Sequence, residues 1–517
     1  MNTPPDETAG SNELSRLSGL LVEIKGNWSP GNDGTLSASW ERLLMQIQEE
    51  VRILTQTESK TVPEIDFEDM NVDHKAECFL RDLKTRGSAI IRNVIPVDEA
   101  EAWSFDLDSY LRDNPHTKAS PVDNPELYEL FWSLAQLNAR AHPNMLAAQK
   151  FAMTGCWHHH QSSRSREGLS CNFPVTYADR VRMLYKSFSG SSPRLCKARP
   201  SVLTSACIGE EGHKQWEAAV SGDHSARSIY RKIWSGEWED YDPWDSISRL
   251  DRTNELHNDS SSSFSTSGVF KMFQGMLPLS LSPSNDNSHM RVCSLPLQLT
   301  TAYCLLRPFF SPKRPFIGSR DDFLDPSNWA LNSVQSSVEH ASREINDTTH
   351  PHLQLERTLM PLPRLKQGDY LIWHPETVYF SGNDRSKNDT PSSSPDATNC
   401  RPEDRAVLPS PSTLLYLPAL PLTETNAEYL VRQRKAFLLG FPGPDFISRQ
   451  GSDYTNIGES CHMGRPGVQE INDAGGEEAL RAMGLLAWDE DNAADAGEKN
   501  LLKRVNAVLF PDRVGAS

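Results

Sequence analysis

Residues 366–379, KQGDYLIWHPETVY, combine a predicted β-strand with side chains that can do chemistry. A Gly-Asp turn leads into the apolar run Tyr-Leu-Ile-Trp, and His374, Glu376 and Tyr379 follow where that strand ends. An imidazole, a carboxylate and a phenol are suitable groups for proton transfer, so the three residues are candidates for a metal-independent acid–base site. A buried strand with a polar end explains the same residues without any chemistry.

Two further groups of polar residues could take part in binding. CWHHHQ places His158, His159 and His160 side by side, but neighbours on a strand point to opposite faces, so at most two of them could meet one metal ion. Arg180 and Arg182 alternate along the strand-like segment YADRVRMLYKSF. On an inner barrel face such arginines could pair with a carboxylate ligand, whereas a surface strand explains them equally well.

Composition narrows the class of protein. The chain has 517 residues, of which 37% are hydrophobic, and includes 12 Trp and 19 Phe. With a mean hydropathy of −0.54, this composition indicates a globular protein with polar surface loops. The net charge of −17 argues against a nucleic-acid or anionic-membrane partner, because binding phosphates requires a basic face. A small molecule is therefore the expected partner, and no particular protein partner is indicated.

The cysteines and the N-terminus indicate the compartment. Nine cysteines without a CxxC pair are typical of free thiols in a reducing environment. The polar N-terminal residues resemble no secretory signal, and no apolar run reaches the length of a membrane span. We therefore expect a soluble, cytoplasmic protein.

The first 60 residues are predicted to form a helical N-terminal extension. Between residues 37 and 56, Trp40, Leu43, Leu44, Ile47, Val51 and Leu54 recur at helical spacing. A helix packed on the main domain explains this apolar face better than a partner-binding coiled coil, because only two heptads are present.

Residues 61–517 are predicted to form one domain in which strands outnumber helices at the core. The run TTAYCLLRPFF, residues 300–310, is interpreted as one of these strands. Polar insertions are expected near residues 189–228, 256–267 and 382–405. No GxGxxG or GxxxxGK[ST] motif occurs, which excludes the common nucleotide-binding fingerprints.

Ten segments together resemble one known family. In chain order they are GSAIIRNVIP, YADRVR, YDPWD, VFKMFQG, TAYCLLRPFF, HPHLQLERT, QGDYLIWH, LLYLPALPLTETNAEYL, FPGPDF and HMGRPG. They resemble the family catalogued as domain of unknown function 1479, which is similar to the Fe(II)/2-oxoglutarate-dependent oxygenases. The resemblance implies a mainly β fold with surrounding helices (α+β), built on a double-stranded β-helix, or cupin-like jelly-roll, core.

The same resemblance implies that the iron ligands are replaced. Matching the family's His-x-Asp pair through the local tryptophan puts Cys207 and Gly209 at the two ligand positions, and the second His of the family's GDxxxWHxxxxH strand becomes Tyr379. Glycine has no donor atom, and two imidazoles and a carboxylate are what a non-haem iron site requires. The sequence therefore predicts a catalytically degenerate, oxygenase-like protein that keeps a small-molecule or partner-binding pocket and has no confidently predicted cofactor.

An alternative keeps the enzyme active. A gapped alignment could bring Glu211 and His213 to the metal, joined by His374, in a non-haem iron dioxygenase with relocated ligands. Such an enzyme would use Fe(II) and 2-oxoglutarate. The superfamily usually holds 2-oxoglutarate with a cation after the distal ligand, and the candidates there are Arg385, Arg401 and Arg405, for which surface charge is the competing interpretation.

Overall fold

The computed structural model describes residues 33–56, 62–120, 126–158, 168–184, 206–208, 229–246, 249, 269–281, 290–316, 318–331, 344–381, 412–446 and 458–514. The helices are α1 (Asp33–Gln56), α2 (Asp73–Arg86), α3 (Val97–Asp113), α4 (Leu134–Ala141), α5 (Pro143–Cys156), α6 (Arg231–Trp234), α7 (Leu297–Leu306), α8 (Arg320–Leu324), α9 (Leu355–Thr358), α10 (Glu424–Leu439), α11 (Val468–Ala482), α12 (Ala496–Leu509) and α13 (Pro511–Val514). The strands are β1 (Glu64–Asp66), β2 (Ser88–Arg92), β3 (Ala119–Ser120), β4 (Leu127–Tyr128), β5 (Leu169–Val175), β6 (Val181–Leu184), β7 (Ala206–Ile208), β8 (Gln274–Ser280), β9 (Met290–Cys293), β10 (Phe310–Pro312), β11 (Trp329–Leu331), β12 (Glu344–Ile345), β13 (Leu359–Pro361), β14 (Tyr370–Trp373), β15 (Val378–Ser381), β16 (Ser412–Tyr416) and β17 (Leu420–Thr423).

Two sheets carry most of these strands. One has eight strands in the order β1-β2-β14-β8-β16-β6-β4-β3, and the other has five in the order β12-β7-β15-β9-β13. Apart from the parallel pair β1–β2, neighbouring strands in these sheets run antiparallel. The fold is mixed α+β, as expected, although helices contribute far more than a mainly β description implies.

Both sheets contribute to one apolar cluster, which we call the inter-sheet cluster. Its buried members are Val62, Ile90, Met276, Val292, Leu362, Leu365, Leu371, Trp373 and Leu414, and its partly buried members are Leu184, Leu281, Met290, Tyr379 and Tyr416. Side chains alternate along a strand, so Leu371 and Trp373 of β14 face this cluster, whereas Tyr370 and Ile372 face a second core on the other side. β14 is therefore covered on both faces.

The Gly-Asp turn before β14 is required by packing. Gly368 has a φ of +82°, and a Cβ atom there would lie 1.9 Å from the carbonyl oxygen of Ile95. The carboxylate of Asp369 accepts hydrogen bonds from the Asn93 and Lys366 backbone N–H groups at 3.1 and 2.7 Å. The turn thus fixes the start of β14, the strand that leads to His374, Glu376 and Tyr379.

The predicted apolar face of α1 is confirmed, and it packs against the main body of the protein. Leu36, Ser39, Trp40, Leu43, Leu44, Ile47, Val51 and Leu54 are buried. The Trp40 ring stacks on Phe310 and Tyr303, with centroids 4.4 and 5.3 Å apart. α1 therefore completes a core that it shares with α7 and β10.

We expect Ile47→Val to lower the free energy of unfolding by about 1 kcal/mol, because it removes a fully buried methylene group and leaves a small cavity. Ile53→Val on the same helix is the matched control, since Ile53 is 39% exposed and its substitution should cost less than half as much. Urea denaturation of both variants measures the difference. Equal losses at the two positions would show that α1 is not anchored by this face.

The prediction of a strand over residues 300–310 is wrong for most of that segment. Leu297–Leu306 forms α7, and only Phe310 begins a strand. A continuous apolar run carries no periodicity with which to distinguish a buried helix from a buried strand. α7 is buried almost all around, which is why no polar face marks it as a helix.

Candidate functional site

The carboxylate of Glu376, just beyond β14, lies at the centre of a buried hydrogen-bond network. Its Oε1 atom accepts from Arg249 and from the Tyr230 hydroxyl, both at 2.7 Å. Its Oε2 atom accepts from the Tyr241 hydroxyl at 2.7 Å and from the Thr301 hydroxyl at 3.1 Å. Glu376 and Arg249 are 3% and 2% exposed, so the pair is an interior ion pair with its carboxylate oxygens fully satisfied.

The network keeps Glu376 ionised. Burial alone would raise the pKa of the Glu376 carboxyl, but the charge of Arg249, with smaller contributions from His374 and the hydrogen bonds, lowers it to about 2. Burial alone would lower the pKa of Arg249, and Glu376 outweighs this effect and raises it. A carboxylate held in this form does not exchange protons near pH 7, so a structural role explains Glu376.

His374 is held equally firmly. Its Nδ1 atom accepts a hydrogen bond from the Glu376 backbone N–H at 3.1 Å, and its Nε2 atom lies 3.1 Å from the Pro243 carbonyl oxygen. A carbonyl only accepts, so Nε2 carries the proton and the ring is neutral. Burial lowers the pKa of the imidazole to about 3. Both ring nitrogens are engaged, and coordination of a metal by His374 would require breaking one of these bonds.

Tyr379 lies in different surroundings from His374 and Glu376. Its ring belongs to the inter-sheet cluster, with its centroid 5.8 Å from that of Trp373. The hydrogen-bond partners of the Glu376 carboxylate include Tyr241 and Arg249, which lie outside that cluster. The structure thus joins His374 to Glu376 and places Tyr379 apart from them.

The strand register brings two of the three family ligand positions together. Tyr379 of β15 is the direct antiparallel partner of Cys207 of β7, and on its other side it pairs with Val292 of β9. β7 also shows that part of the predicted insertion at residues 189–228 is an integral strand. The third position, Gly209, lies outside the described residues.

Several other sequence candidates also lie outside the described residues. These are Glu211, His213, Arg385, Arg401, Arg405, His159 and His160, together with the insertions at 256–267 and 382–405. Within the described ranges, no group of three or more His, Cys, Asp or Glu side chains is placed to hold a metal ion. The relocated-ligand and cosubstrate hypotheses therefore stay predictions.

His158 is the one member of the histidine triplet that the structure describes. Its Nε2 atom lies 2.5 Å from a carboxylate oxygen of Asp242, and its backbone N–H donates to the Trp244 carbonyl at 3.2 Å. This contact ties the end of α5 to the Tyr-Asp-Pro-Trp-Asp turn. It gives His158 a structural role.

A surface groove of about 790 Å³ lies over the same turn, between α2 and α7. Tyr241, Pro243 and Trp244 contribute to its lining, whereas Glu376 and His374 do not. The aromatic turn thus separates the buried network from solvent. A substrate in this groove would not reach the imidazole or the carboxylate.

Arg180 and Arg182 do not line one face, although their alternation allows it. The Arg180 guanidinium lies 4.7 Å from the ring centroid of Phe446, in a cation–π contact. The Arg182 guanidinium instead donates to the Tyr416 hydroxyl at 3.2 Å, beside the inter-sheet cluster. Of these two arginines, only Arg182 therefore brings a positive charge to the space between the sheets that the described strands outline.

A family profile, that of the Gig2-like proteins, matches residues 17–485 of the chain. The chain belongs to the Gig2-like family. It is 23% identical over 402 residues to the Escherichia coli K12 protein named "Uncharacterized protein YbiU", covering 74% of this chain and 78% of that protein. The resemblance to domain of unknown function 1479 is confirmed at the level of this family.

Solved structures share the Gig2-like fold. The crystal structure of GlcNAc Inducible Gene 2, GIG2 (DUF1479), from Candida albicans matches with a TM-score of 0.70 and 23% identity, over 99% of this chain and 97% of that chain. The "Putative Oxidoreductase" from Salmonella typhimurium LT2 matches with a TM-score of 0.61 and 20% identity, over 93% and 98% of the two chains. At such identities the likeness shows the fold alone.

Two further observations on the described part of the Gig2-like chain concern membrane-spanning helices and the cysteines. None of the described helices is both long and apolar enough to span a bilayer. The cysteines whose side chains are described, Cys78, Cys156, Cys171, Cys293, Cys304 and Cys461, are free thiols.

Proposed function

We propose that this Gig2-like protein is an oxygenase-like binding protein that has lost its iron site and retains a small-molecule pocket between its sheets. In this proposal the eight-stranded and five-stranded sheets are the two halves of a jelly-roll core. The observation that carries it is the pairing of Tyr379 with Cys207. The register supports the alignment of two ligand positions, and neither residue there supplies an imidazole.

The donor set does not fit ferrous iron. Such a site needs two imidazoles and a carboxylate with open positions for oxygen and a cosubstrate. The aligned positions offer a thiol, a glycine and a phenol, and His374 already uses both ring nitrogens within the protein. We therefore derive no chemical step through a metal.

The composition of the inter-sheet cluster supports the proposed pocket, because polar groups of its aromatic residues lie beside its apolar side chains. Trp373 is 5% exposed, and its indole N–H has no hydrogen-bond partner among the described residues. Tyr379 and Tyr416 are partly exposed, which marks the side on which the cluster meets solvent. An apolar wall with a few convergent polar groups is the usual form of a ligand site. The net charge of −17 supports a small molecule over a nucleic acid as the partner.

We expect the purified protein to bind neither Fe(II) under anaerobic conditions nor Mn(II) stoichiometrically in calorimetric titrations. The triple variant Cys207→His, Gly209→Asp, Tyr379→His should gain a site, whereas each single change should do little, because one new ligand cannot hold the ion. The wild type in the same buffer is the control for adventitious metal binding.

The second candidate function is an active non-haem iron dioxygenase with Glu211 and His213 as ligands. It is favoured by the similarity to the Salmonella protein whose name describes an oxidoreductase. Tight one-to-one metal binding by the wild type, abolished in His213→Ala, would establish this candidate and overturn the proposed loss of iron. Turnover of 2-oxoglutarate by the metal-loaded wild type would lead to the same conclusion.

A further inference from the structure

The inter-sheet cluster is not closed to solvent at every point. Met276 lies directly opposite Leu371 in the β8–β14 pair, so both side chains project from the same face of the sheet. Met276 and Leu414 are each 7% exposed, and Trp373 is 5% exposed. Because close-packed side chains exclude solvent, this remaining exposure indicates that Met276, Leu414 and Trp373 border an opening that a small molecule can enter.

The indole of Trp373 carries a hydrogen-bond donor that lacks an acceptor in the described part of the chain. Trp373, Tyr379 and Tyr416 are the members of the cluster with N–H or O–H groups. The Tyr416 hydroxyl accepts a hydrogen bond from Arg182 at 3.2 Å, and Tyr379 contributes to the electrostatic surroundings of Arg182. A buried donor without an acceptor is uncommon and destabilises the folded protein. An acceptor atom on a ligand would therefore compensate the Trp373 N–H.

The positive charge beside the cluster is balanced within the protein. The Arg182 guanidinium lies 3.8 Å from a carboxylate oxygen of Glu126, and it also donates to the Tyr416 hydroxyl. Because 26% of the Arg182 side chain is exposed, solvent also screens its charge. The net charge of −17 on the whole chain repels anions. The pocket therefore favours a neutral ligand over an acid, since a buried carboxylate would need a counter-charge of its own.

We propose that the pocket takes a neutral, mainly apolar small molecule whose carbonyl, ether or hydroxyl oxygen accepts a hydrogen bond from the Trp373 indole N–H. This inference rests on the proposed function, and it adds the chemical class of the ligand. An indole nitrogen donates and does not accept, so the ligand must supply an acceptor at this point. The rest of the ligand packs against Leu371, Met276 and Leu414, where burial of its apolar surface supplies most of the affinity.

Three probes of nearly the same planar shape test this class of ligand. Acetophenone carries a carbonyl oxygen, α-methylstyrene replaces that oxygen by a methylene group, and benzoate keeps the oxygen but adds a negative charge. We expect acetophenone to bind about fivefold more tightly than α-methylstyrene, which is the usual effect of one neutral hydrogen bond. Benzoate should bind more weakly than acetophenone, because the charge of Arg182 is already balanced by Glu126.

The titrations use the full chain with its 12 tryptophans labelled with ¹⁵N in the indole, so that each indole N–H gives its own NMR signal. Acetophenone should move the Trp373 signal downfield, since hydrogen bonding deshields the proton, whereas α-methylstyrene should move it less. Trp373→Phe assigns this signal, keeps an aromatic ring and removes the donor. In this variant the two neutral probes should bind within about twofold of each other.

Trp488→Phe is the matched control. Trp488 is 4% exposed, and its indole N–H also lacks a partner among the described residues, but its ring packs on Phe173 in a different apolar core. This variant should keep the wild-type preference for acetophenone. The wild-type ranking of the three probes keeps the test decisive if Trp373→Phe fails to fold.

Equal binding of acetophenone and α-methylstyrene by the wild type, or an unchanged preference in Trp373→Phe, would overturn the assignment of Trp373. Tightest binding of benzoate would overturn the neutral class. In these cases a site for small molecules remains, so the proposed function stands without the inference. If no probe binds, the retained pocket is itself wrong and the inference fails with it, whereas the loss of iron is decided separately by the metal titration.

Discussion

Replacing Arg249 by methionine is expected to lower the free energy of unfolding by about 3–5 kcal/mol at pH 7, because it leaves a buried carboxylate without its counter-charge. Glu376 and Arg249 are 3% and 2% exposed, and their 2.7 Å contact is shielded from water. The hydroxyls of Tyr230, Tyr241 and Thr301 would still donate to Glu376, but neutral donors do not replace a full positive charge. Urea denaturation at several pH values measures the loss.

The control is the same substitution in an exposed ion pair. Arg52 contacts Glu49 at 2.6 Å on α1, with the two side chains 55% and 47% exposed. Arg52→Met should cost far less than Arg249→Met, since solvent screens such pairs. A similarly small cost for Arg249→Met would contradict the assignment of Arg249 as the counter-charge of Glu376.

The loss should also depend on pH in a defined direction. The pKa of Glu376 falls from 4.5 to about 2 on folding, so its stabilising contribution is complete above pH 4.5 and is lost as the pH falls toward 2. In Arg249→Met the buried carboxyl can instead take up a proton as the pH falls. The difference between wild type and variant should therefore shrink on acidification. The double variant Arg249→Met, Glu376→Gln should be more stable at pH 7 than Arg249→Met alone, because no unpaired charge remains.

Local features of the fold follow from the sequence. The apolar face of α1, the strand after the Gly-Asp turn and the limits of α10 all depend on residues close together in the chain. In α10 the Thr423 hydroxyl accepts from the Asn426 N–H at 3.0 Å, and Gly440 ends the helix with a φ of +71°. Both ends are predictable because capping residues and left-handed glycines have local sequence signals.

The contacts of Glu376 and His374 cannot be predicted in the same way. Arg249 and Tyr230 lie 127 and 146 residues from Glu376 along the chain. No spacing rule connects positions so far apart, so Glu376 and His374 have the same appearance in the sequence whether they are catalytic or structural. The Tyr-Asp-Pro-Trp-Asp block is the available signal, since Tyr241 and Pro243 supply the contacts that occupy Glu376 and His374.

A second buried carboxyl group, that of Glu459, is expected to make stability depend on pH in the opposite direction to Glu376. It is 1% exposed, and it accepts hydrogen bonds from the backbone N–H of Phe131 at 2.5 Å and of Trp132 at 3.0 Å. Burial raises the pKa of Glu459 to about 7, although these N–H groups, Arg140 and Arg465 act to lower it. Unlike Glu376, this carboxyl makes no ion pair within 4 Å in the described part of the chain.

Since the pKa of Glu459 rises from 4.5 to about 7 on folding, the folded protein takes up a proton between those values. Its favourable contribution is complete below pH 4.5 and is lost as the pH rises through 7, by about 3 kcal/mol in all. Glu459→Gln removes the titrating group and keeps a carbonyl acceptor for the Phe131 N–H. Relative to wild type, the variant should therefore gain most of this, about 2.5 kcal/mol, in unfolding free energy between pH 5 and pH 8.

Urea denaturation at pH 5, 6, 7 and 8 tests this expectation, with the difference between variant and wild type plotted against pH. Glu478→Gln is the control, because it removes the same charge from an exposed position on α11. Its difference from wild type should stay flat, since no buried group is removed. If the Glu459→Gln difference is also flat, Glu459 is ionised throughout the range, and the two backbone N–H groups with Arg140 and Arg465 offset the cost of its burial.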